Sequence, residues 1–97
     1  MYEAAGKGDI AALIKAHVRG GEVNWKNPNE DGRTALHKCV ISGTTNSIEC
    51  AEFLLQNGAK LDIHDVEGKT PIDLALVRGS QLEMINYLNE RMKSNVV

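Results

Sequence analysis

Residues 32–39 read Gly-Arg-Thr-Ala-Leu-His-Lys-Cys, and this stretch decides the fold. Gly32 permits a tight backbone bend that a residue with a Cβ adopts only at an energetic cost. Thr34 is a good side-chain acceptor for the free backbone amides at the start of a helix. The sequence therefore predicts a helix over residues 34–42, with Leu36 facing inward.

Related segments lie on both sides of this stretch. Upstream, a short turn at Gly8 precedes Asp9, which we expect to cap a second helix. The apolar face expected for that helix consists of Ile10, Leu13, Ile14 and Ala16. Downstream, residues 65–75 repeat the glycine and the threonine at the same spacing. One recurring unit predicts a stack of repeats in which each repeat contacts its neighbours.

The recurring unit resembles the ankyrin repeat, whose first helix opens with the pattern T-P-L-H-x-A. Leu36 and His37 match this pattern, whereas Ala35 replaces its proline. Cys39 and Val40 stand where ankyrin repeats carry two alanines. The resemblance implies that His37 braces the turn through hydrogen bonds.

The resemblance implies an all-α ankyrin-repeat solenoid, with about three stacked helix-turn-helix repeats and short extended fingers. The chain is then one domain, with terminal repeats that are atypical caps. The expected repeats cover about residues 1–28, 29–64 and 65–97, and further helices are expected over 47–57 and about 81–92. Their expected buried residues are Ile48, Cys50, Ala51, Leu54 and Leu55 in the first of these helices, and Leu82, Met84 or Tyr87, Ile85 and Leu88 in the second.

Two segments are longer than the ankyrin norm. The finger of residues 23–31 is about two residues longer, judged against the corresponding segment after Asp62. Gly32 and Gly68 are 36 positions apart, against a family period of about 33. We assign the extra residues to the segment 43–46.

The composition argues against several classes of function. Eleven basic and 13 acidic residues give a formal charge of -2, without a basic stripe for a phosphate backbone. No apolar run approaches the roughly 20 residues of a membrane span, and no signal-peptide core is recognisable at the N-terminus. We expect no nucleic-acid partner and no direct membrane insertion. Two cysteines on helix interiors favour reduced thiols and a cytoplasmic location.

Four short strings extend the resemblance. Residues 2–4, 23–25, 52–59 and 65–68 are similar to the ankyrin array of Arf GTPase-activating proteins that also carry coiled-coil and pleckstrin-homology domains. In that family, catalysis belongs to a zinc module with four cysteines and an arginine, just before the repeats. This chain has no CxxC pair. The resemblance therefore implies a non-catalytic interaction or domain-packing module, which binds a protein partner or an adjoining domain.

A second hypothesis is a stand-alone regulatory ankyrin protein that inhibits a partner enzyme. An upstream zinc module built from two CxxC pairs would favour the first hypothesis over this one. No catalytic motif supports an enzyme, and no cofactor is expected. His37 lacks a recognisable nucleophile motif, and Cys39 and Cys50 lack zinc-finger spacing. Asp62, Asp65 and Glu67 resemble part of a calcium loop but lack its later glutamate, so we interpret them as turn residues.

Candidate binding residues lie at positions that vary in ankyrin repeats and line the fingers and the inner groove. They are Trp25, Lys26, Arg33, Ile41, His64, Lys69, Val77 and Arg78. Together they predict a mildly basic strip, which would favour an acidic partner or a neighbouring domain. Trp25 has two open interpretations, because it either covers the base of the long finger or anchors a partner. We expect Trp25, Arg33, Lys69 and Arg78 to contribute little to stability.

Overall fold

Six helices form the chain in the computed structural model, which describes residues 1–78 and 82–94. The helices are α1 (Tyr2–Lys7), α2 (Ile10–Val18), α3 (Ala35–Ser42), α4 (Ser47–Gln56), α5 (Pro71–Arg78) and α6 (Leu82–Ser94). The described residues contain no strand, and an isolated bridge pairs Asn27 with Arg33. The chain is therefore an all-α stack, and its fingers are turns rather than a sheet.

The helices lie in two layers. The first helices of the three pairs pack in sequence, α1 on α3 and α3 on α5. The second helices do the same, α2 on α4 and α4 on α6. Because α3 also packs on α4, the central pair is the part of the molecule on which both neighbours depend.

The core lies between these layers and consists of aliphatic, alanine and cysteine side chains. Leu36, Cys39 and Val40 are buried as predicted. The other members of the core cluster are Ala5, Leu13, Ala35, Cys50, Ala51, Leu54, Ile72, Leu74, Ala75, Met84 and Leu88. Small residues at the helix crossings permit close approach of the helices, so a core with few aromatic rings still packs densely.

Two predicted core residues are exposed. Ile14 on α2 is 42% exposed and Leu82 on α6 is 68% exposed. Leu82 borders an open cleft whose other wall includes Thr44 and Ile48 of the preceding pair, so its side chain stays accessible to solvent there. The apolar pattern was correct for most of the core but wrong for these two positions.

The predicted helix boundaries differ from the observed ones by one or two residues. Thr34 is the N-cap of α3 rather than its first residue, and Asn57 is the C-cap of α4. Asp9 caps α2 as predicted, because its carboxylate accepts a hydrogen bond from the backbone amide of Ala12 at 3.0 Å. The last helix continues to Ser94, and its predicted first residue, Gln81, lies outside the described residues.

The extra residues 43–46 pack against the turn between α1 and α2. Gly8 has a left-handed φ of 68°, and a Cβ at this position would lie 3.1 Å from the Cβ of Thr44. The side-chain amide of Asn46 donates a hydrogen bond to the carbonyl of Gly8 at 3.3 Å. The insertion therefore links the first and second pairs, and it requires a glycine at position 8.

Leu36→Ala tests the position of the core. Leu36 is 1% exposed, so its truncation should cost about 2 to 5 kcal/mol of unfolding free energy. For a chain of this size, that corresponds to a fall in melting temperature of at least about 10 °C, followed by helical circular dichroism. Leu76→Ala makes the same chemical change at a side chain that is 56% exposed, and it should leave the melt nearly unchanged. Equal effects of the two substitutions would contradict the packing described above.

Candidate binding surface at the fingers

His37 joins the start of α3 to the next repeat. Its ring is fully buried, and its Nε2 lies 2.9 Å from the backbone carbonyl oxygen of Lys69, which can only accept a hydrogen bond. In the neutral ring, Nε2 therefore carries the proton and Nδ1 is an acceptor. Nδ1 accepts from the backbone amide of Thr34 at 3.1 Å and lies 2.8 Å from its hydroxyl oxygen. The His37 side chain thus accepts a hydrogen bond from the backbone amide of the N-cap residue Thr34 and also contacts Lys69, 32 positions later.

The environment of His37 favours the uncharged imidazole. Burial lowers the pKa of His37, although the Lys69 carbonyl and the carboxylate of Asp65 oppose this shift. Protonation would also place a hydrogen on Nδ1, where the Thr34 amide already donates. The contact between the second and third repeats therefore depends on a neutral histidine.

Asp65 organises the second finger, residues 61–69. One carboxylate oxygen accepts hydrogen bonds from the backbone amides of Glu67 and Lys69, both at 2.9 Å. Burial opposes ionisation, but these two amides hold the pKa of the Asp65 carboxyl below its ordinary value. This geometry explains the aspartate as a turn residue, in agreement with its interpretation from sequence.

Arg33 faces three carboxylates across the two fingers. Its guanidinium nitrogens lie 3.6 Å from Asp31, 3.5 Å from Asp65 and 4.0 Å from Glu67. The Asp65 side chain is fully buried, and the Arg33 side chain is 22% exposed. The expectation that Arg33 is dispensable for stability is at odds with this placement. Its charge is also offset locally, which weakens the basic strip expected from sequence.

Backbone contacts fix the two fingers to each other. The amide of Val66 donates to the carbonyl of Asp31 at 2.8 Å. At the base of the first finger, the Asn24 side chain donates to the carbonyl of Gly58 at 2.9 Å and accepts from the amide of Lys60 at 2.9 Å. These hydrogen bonds therefore hold the backbone of the first finger in place, and the finger side chains extend from this fixed backbone.

Trp25 lies on the first finger and is 47% exposed. Its ring meets Tyr2 of α1 edge to face, with ring centroids 6.2 Å apart. The Tyr2 hydroxyl donates to Glu30 at 3.0 Å, and the ammonium of Lys38 lies 5.6 Å from the centre of the Tyr2 ring. Trp25 thus has a structural contact on one side and a large accessible area on the other.

A cavity of about 440 Å³ opens beside Trp25. Its walls come from the start of α1, the turn after α2, the first finger and the start of α3. The residues that line it are Met1, Tyr2, Glu3, Gly21, Glu22, Trp25 and Ala35. Tyr2, Glu3 and Glu22 were not identified from the sequence as lining residues, because the first repeat was expected to be an atypical cap. Tyr2, one of only two tyrosines, was the available signal.

The remaining candidates are dispersed over the fingers and the first helices. Lys26 and His64 are exposed, and Lys69 is partly buried. Ile41 packs partly against the core, whereas Val77 is 68% exposed. The side chain of Arg78 lies outside the described residues.

The buried thiols have environments suited to packing. Cys39 donates from its Sγ to the carbonyl of Ser47 at 2.8 Å, and burial raises the pKa of its thiol to about 12. Burial also raises the pKa of Cys50. Within residues 1–78 and 82–94, no three potential metal ligands of the His, Cys, Asp and Glu types come together. In the same part of the chain, no helix has both the length and the apolar character needed to cross a bilayer.

Comparison with known proteins agrees with this architecture. A family model described as ankyrin repeats, in three copies, matches residues 1–96. The chain is 39% identical over 88 residues to the Arf-GAP with coiled-coil, ANK repeat and PH domain-containing protein 2 of Gallus gallus, covering 91% of this chain and 11% of that protein. The Homo sapiens protein of the same description is 37% identical over 79 residues, covering 81% of this chain and 10% of that protein.

A further relative is the Arf-GAP with coiled-coil, ANK repeat and PH domain-containing protein 3 of Homo sapiens. It is 41% identical over 64 residues, covering 66% of this chain and 7% of that protein. The chain thus spans about a tenth of the length of the curated relatives that it matches. The similarity falls on their ankyrin-repeat region.

The buried histidine predicts a specific pH dependence of stability. The unfolded chain has a histidine pKa of about 6.5, and burial lowers the pKa of folded His37. The contribution to stability is therefore complete above about pH 6.5 and decreases as the pH falls, by at most about 1.4 kcal/mol per pH unit. Thermal melts between pH 7.5 and 5.5 measure this slope.

His37→Asn provides the comparison, because it keeps His17 and His64 and removes the buried imidazole alone. The variant should be less stable at pH 7.5 and should lose less stability than the parent on acidification to pH 5.5. Parallel losses in the two proteins would show that His37 does not carry the pH dependence.

Arg33→Ala tests the bridge between the fingers. Removing the guanidinium leaves the buried Asp65 carboxylate without its cationic partner, so we expect a loss of about 1 to 3 kcal/mol in unfolding free energy. Lys26→Ala removes an exposed cation of the first finger and should change stability by less than about 0.5 kcal/mol. Urea titration of both variants measures the difference, and indistinguishable midpoints would remove Arg33 from the structural network.

Proposed function

The chain belongs to the ankyrin-repeat family, and we propose that it is a non-catalytic module that binds a protein partner or packs against an adjoining domain of its parent chain. Ankyrin repeats are typically protein-interaction modules and are generally not catalytic. The observation that carries the proposal is the 47% exposure of Trp25 at a cavity on the first finger. Large aromatic side chains in such positions are frequent binding hot spots.

The parent in this proposal is a multidomain protein of the Arf-GAP type, whose catalytic domain lies outside this chain. The similarity to the ankyrin region of the relatives from Gallus gallus and Homo sapiens supports this origin. Two free, buried thiols support a reducing compartment such as the cytoplasm. A sequence with two CxxC pairs immediately upstream in the natural gene is the expected observation, and its absence would argue against this parent.

The candidate surface combines the braced fingers with the exposed face of Trp25. Residues that stack the repeats are buried, so partner choice falls to side chains such as Trp25, Lys26 and His64, which are exposed. Lys69 and Val77 extend the candidate surface along the second finger and α5, and Ile41 and Arg78 belong to the same proposal. Arg33 links the two fingers that carry this surface through its ion pairs with Asp31 and Asp65.

Trp25→Ala is the decisive substitution for this surface. It removes the exposed anchor, and we expect the affinity for the partner to fall by about 2 kcal/mol or more, which is roughly a thirtyfold weakening. The loss of the edge contact with Tyr2 should cost about 1 kcal/mol of stability. Isothermal titration against the separately expressed domain that precedes the repeats in the parent chain measures the affinity.

Leu82→Ala is the matched control, because it truncates an exposed apolar side chain on α6. This variant should bind as the parent does. Unchanged binding by Trp25→Ala would place the site elsewhere on the stack. A collapsed melt for Trp25→Ala would instead identify Trp25 as a structural cover of the finger.

A further inference from the structure

We propose that the cavity beside Trp25 accepts an arginine side chain from an extended segment of the partner. This inference rests on the proposed function and adds the chemistry of the contact. It is carried by the combination of an open aromatic face, two carboxylates and a cavity of about 440 Å³ in one place.

The aromatic wall favours a planar cation. Trp25 keeps 47% of its surface accessible, and the edge-to-face contact with Tyr2 holds its ring in a defined orientation. A guanidinium stacks on an aromatic face through cation–π and dispersion interactions, and indole is the strongest such acceptor among the side chains. The ordered indole can therefore receive an arginine with little further loss of conformational freedom.

The charge of the lining has the complementary sign. Glu3 and Glu22 are both exposed at the cavity, and none of the described residues that line it carries a Lys, Arg or His side chain. The nearby Lys38 is engaged by Glu30, with 3.0 Å between its Nζ and the carboxylate oxygen. An anionic side chain would meet two carboxylates here, and the terminal amino group of Met1 is the one cationic group among these lining residues.

Two properties favour arginine over lysine. The guanidinium is more weakly hydrated than an ammonium, so its transfer from water to a half-open aromatic site costs less. Its planar fork also donates two parallel hydrogen bonds to a carboxylate while its face remains on the indole. A cavity of this volume, at the low end of the range for small-ligand sites, holds one such side chain and the adjoining peptide backbone.

Blocked pentapeptides provide the probes, with glycines flanking a central arginine, lysine or citrulline. Citrulline keeps the planar shape of arginine without its charge. Trp25 is the only tryptophan, so its indole N–H resonance in a ¹⁵N-labelled sample reports binding directly. The titration is run with the chain as given and with its terminal amino group acetylated, since Met1 also lines the cavity. We expect saturable shifts with the arginine peptide, weaker ones with lysine and none with citrulline.

The double variant Glu3→Gln with Glu22→Gln should weaken binding of the arginine peptide by about five- to tenfold. Glu49→Gln with Glu52→Gln makes the same change in net charge on exposed positions of α4 and should bind as the parent does. Equal binding of the arginine and citrulline peptides, or equal weakening by the two double variants, would overturn the proposal. Lysine binding as tight as arginine binding would overturn the assignment of a guanidinium.

The two proposals can fail separately. If the arginine peptide leaves the Trp25 resonance unchanged while Trp25→Ala still weakens binding of the adjoining domain, the cavity does not bind arginine and the interaction module stands. If neither measurement shows an effect, the first finger is not the binding surface.

Discussion

The hydrogen bond from buried His37 to the carbonyl of Lys69 is the contact on which the order of the stack depends. Its Nε2 reaches the next repeat, while its Nδ1 satisfies the amide of Thr34 at the start of α3. A buried polar ring of this kind is costly unless each nitrogen has a partner. The imidazole therefore fixes the distance between the backbone amide of Thr34 and the backbone carbonyl of Lys69.

The ion pairs of Arg33 extend this constraint from the helices to the fingers. Asp65 is fixed by two backbone amides, and Arg33 spans from Asp65 to Asp31 on the preceding finger. Fingers that are already ordered lose less conformational entropy when a partner binds. Pre-organisation of this kind increases affinity without any new contact. The residues that pair Arg33 with both fingers thus couple the stability of the stack to the order of the fingers.

The repeat pattern was sufficient to predict the helices, the caps at Asp9 and Thr34 and most of the core, because these features recur within the chain. Ile14 and Leu82 match the apolar pattern but are exposed, because burial depends on how neighbouring helices pack and not on the pattern of one helix. The partners of Arg33 were also missed. Asp65 lies 32 positions away in sequence, and the register that brings two fingers together is a property of the assembled stack.

The cavity beside Trp25 shows the same limit at a candidate site. Trp25 was recognisable as a single, unusual residue on a finger, but Glu3 and Glu22 are ordinary charged residues on either side of α2. Glu22 lies in one turn with Trp25, whose backbone amide donates to the carbonyl of Glu22 at 3.3 Å, whereas Glu3 reaches the cavity only because α1 packs on α3. The sequence thus indicated Trp25, and the structure adds the two carboxylates that lie beside it at the cavity.

The protonation state of His37 tests the central claim most directly. Long-range ¹H–¹⁵N correlation spectra of the folded chain at pH 7.0 distinguish the two neutral tautomers from the imidazolium by their nitrogen shifts. The geometry predicts a neutral ring with the proton on Nε2, as the bond to the Lys69 carbonyl requires. A ring protonated on both nitrogens at that pH, or a neutral ring with its proton on Nδ1, would contradict the account of how the repeats are joined.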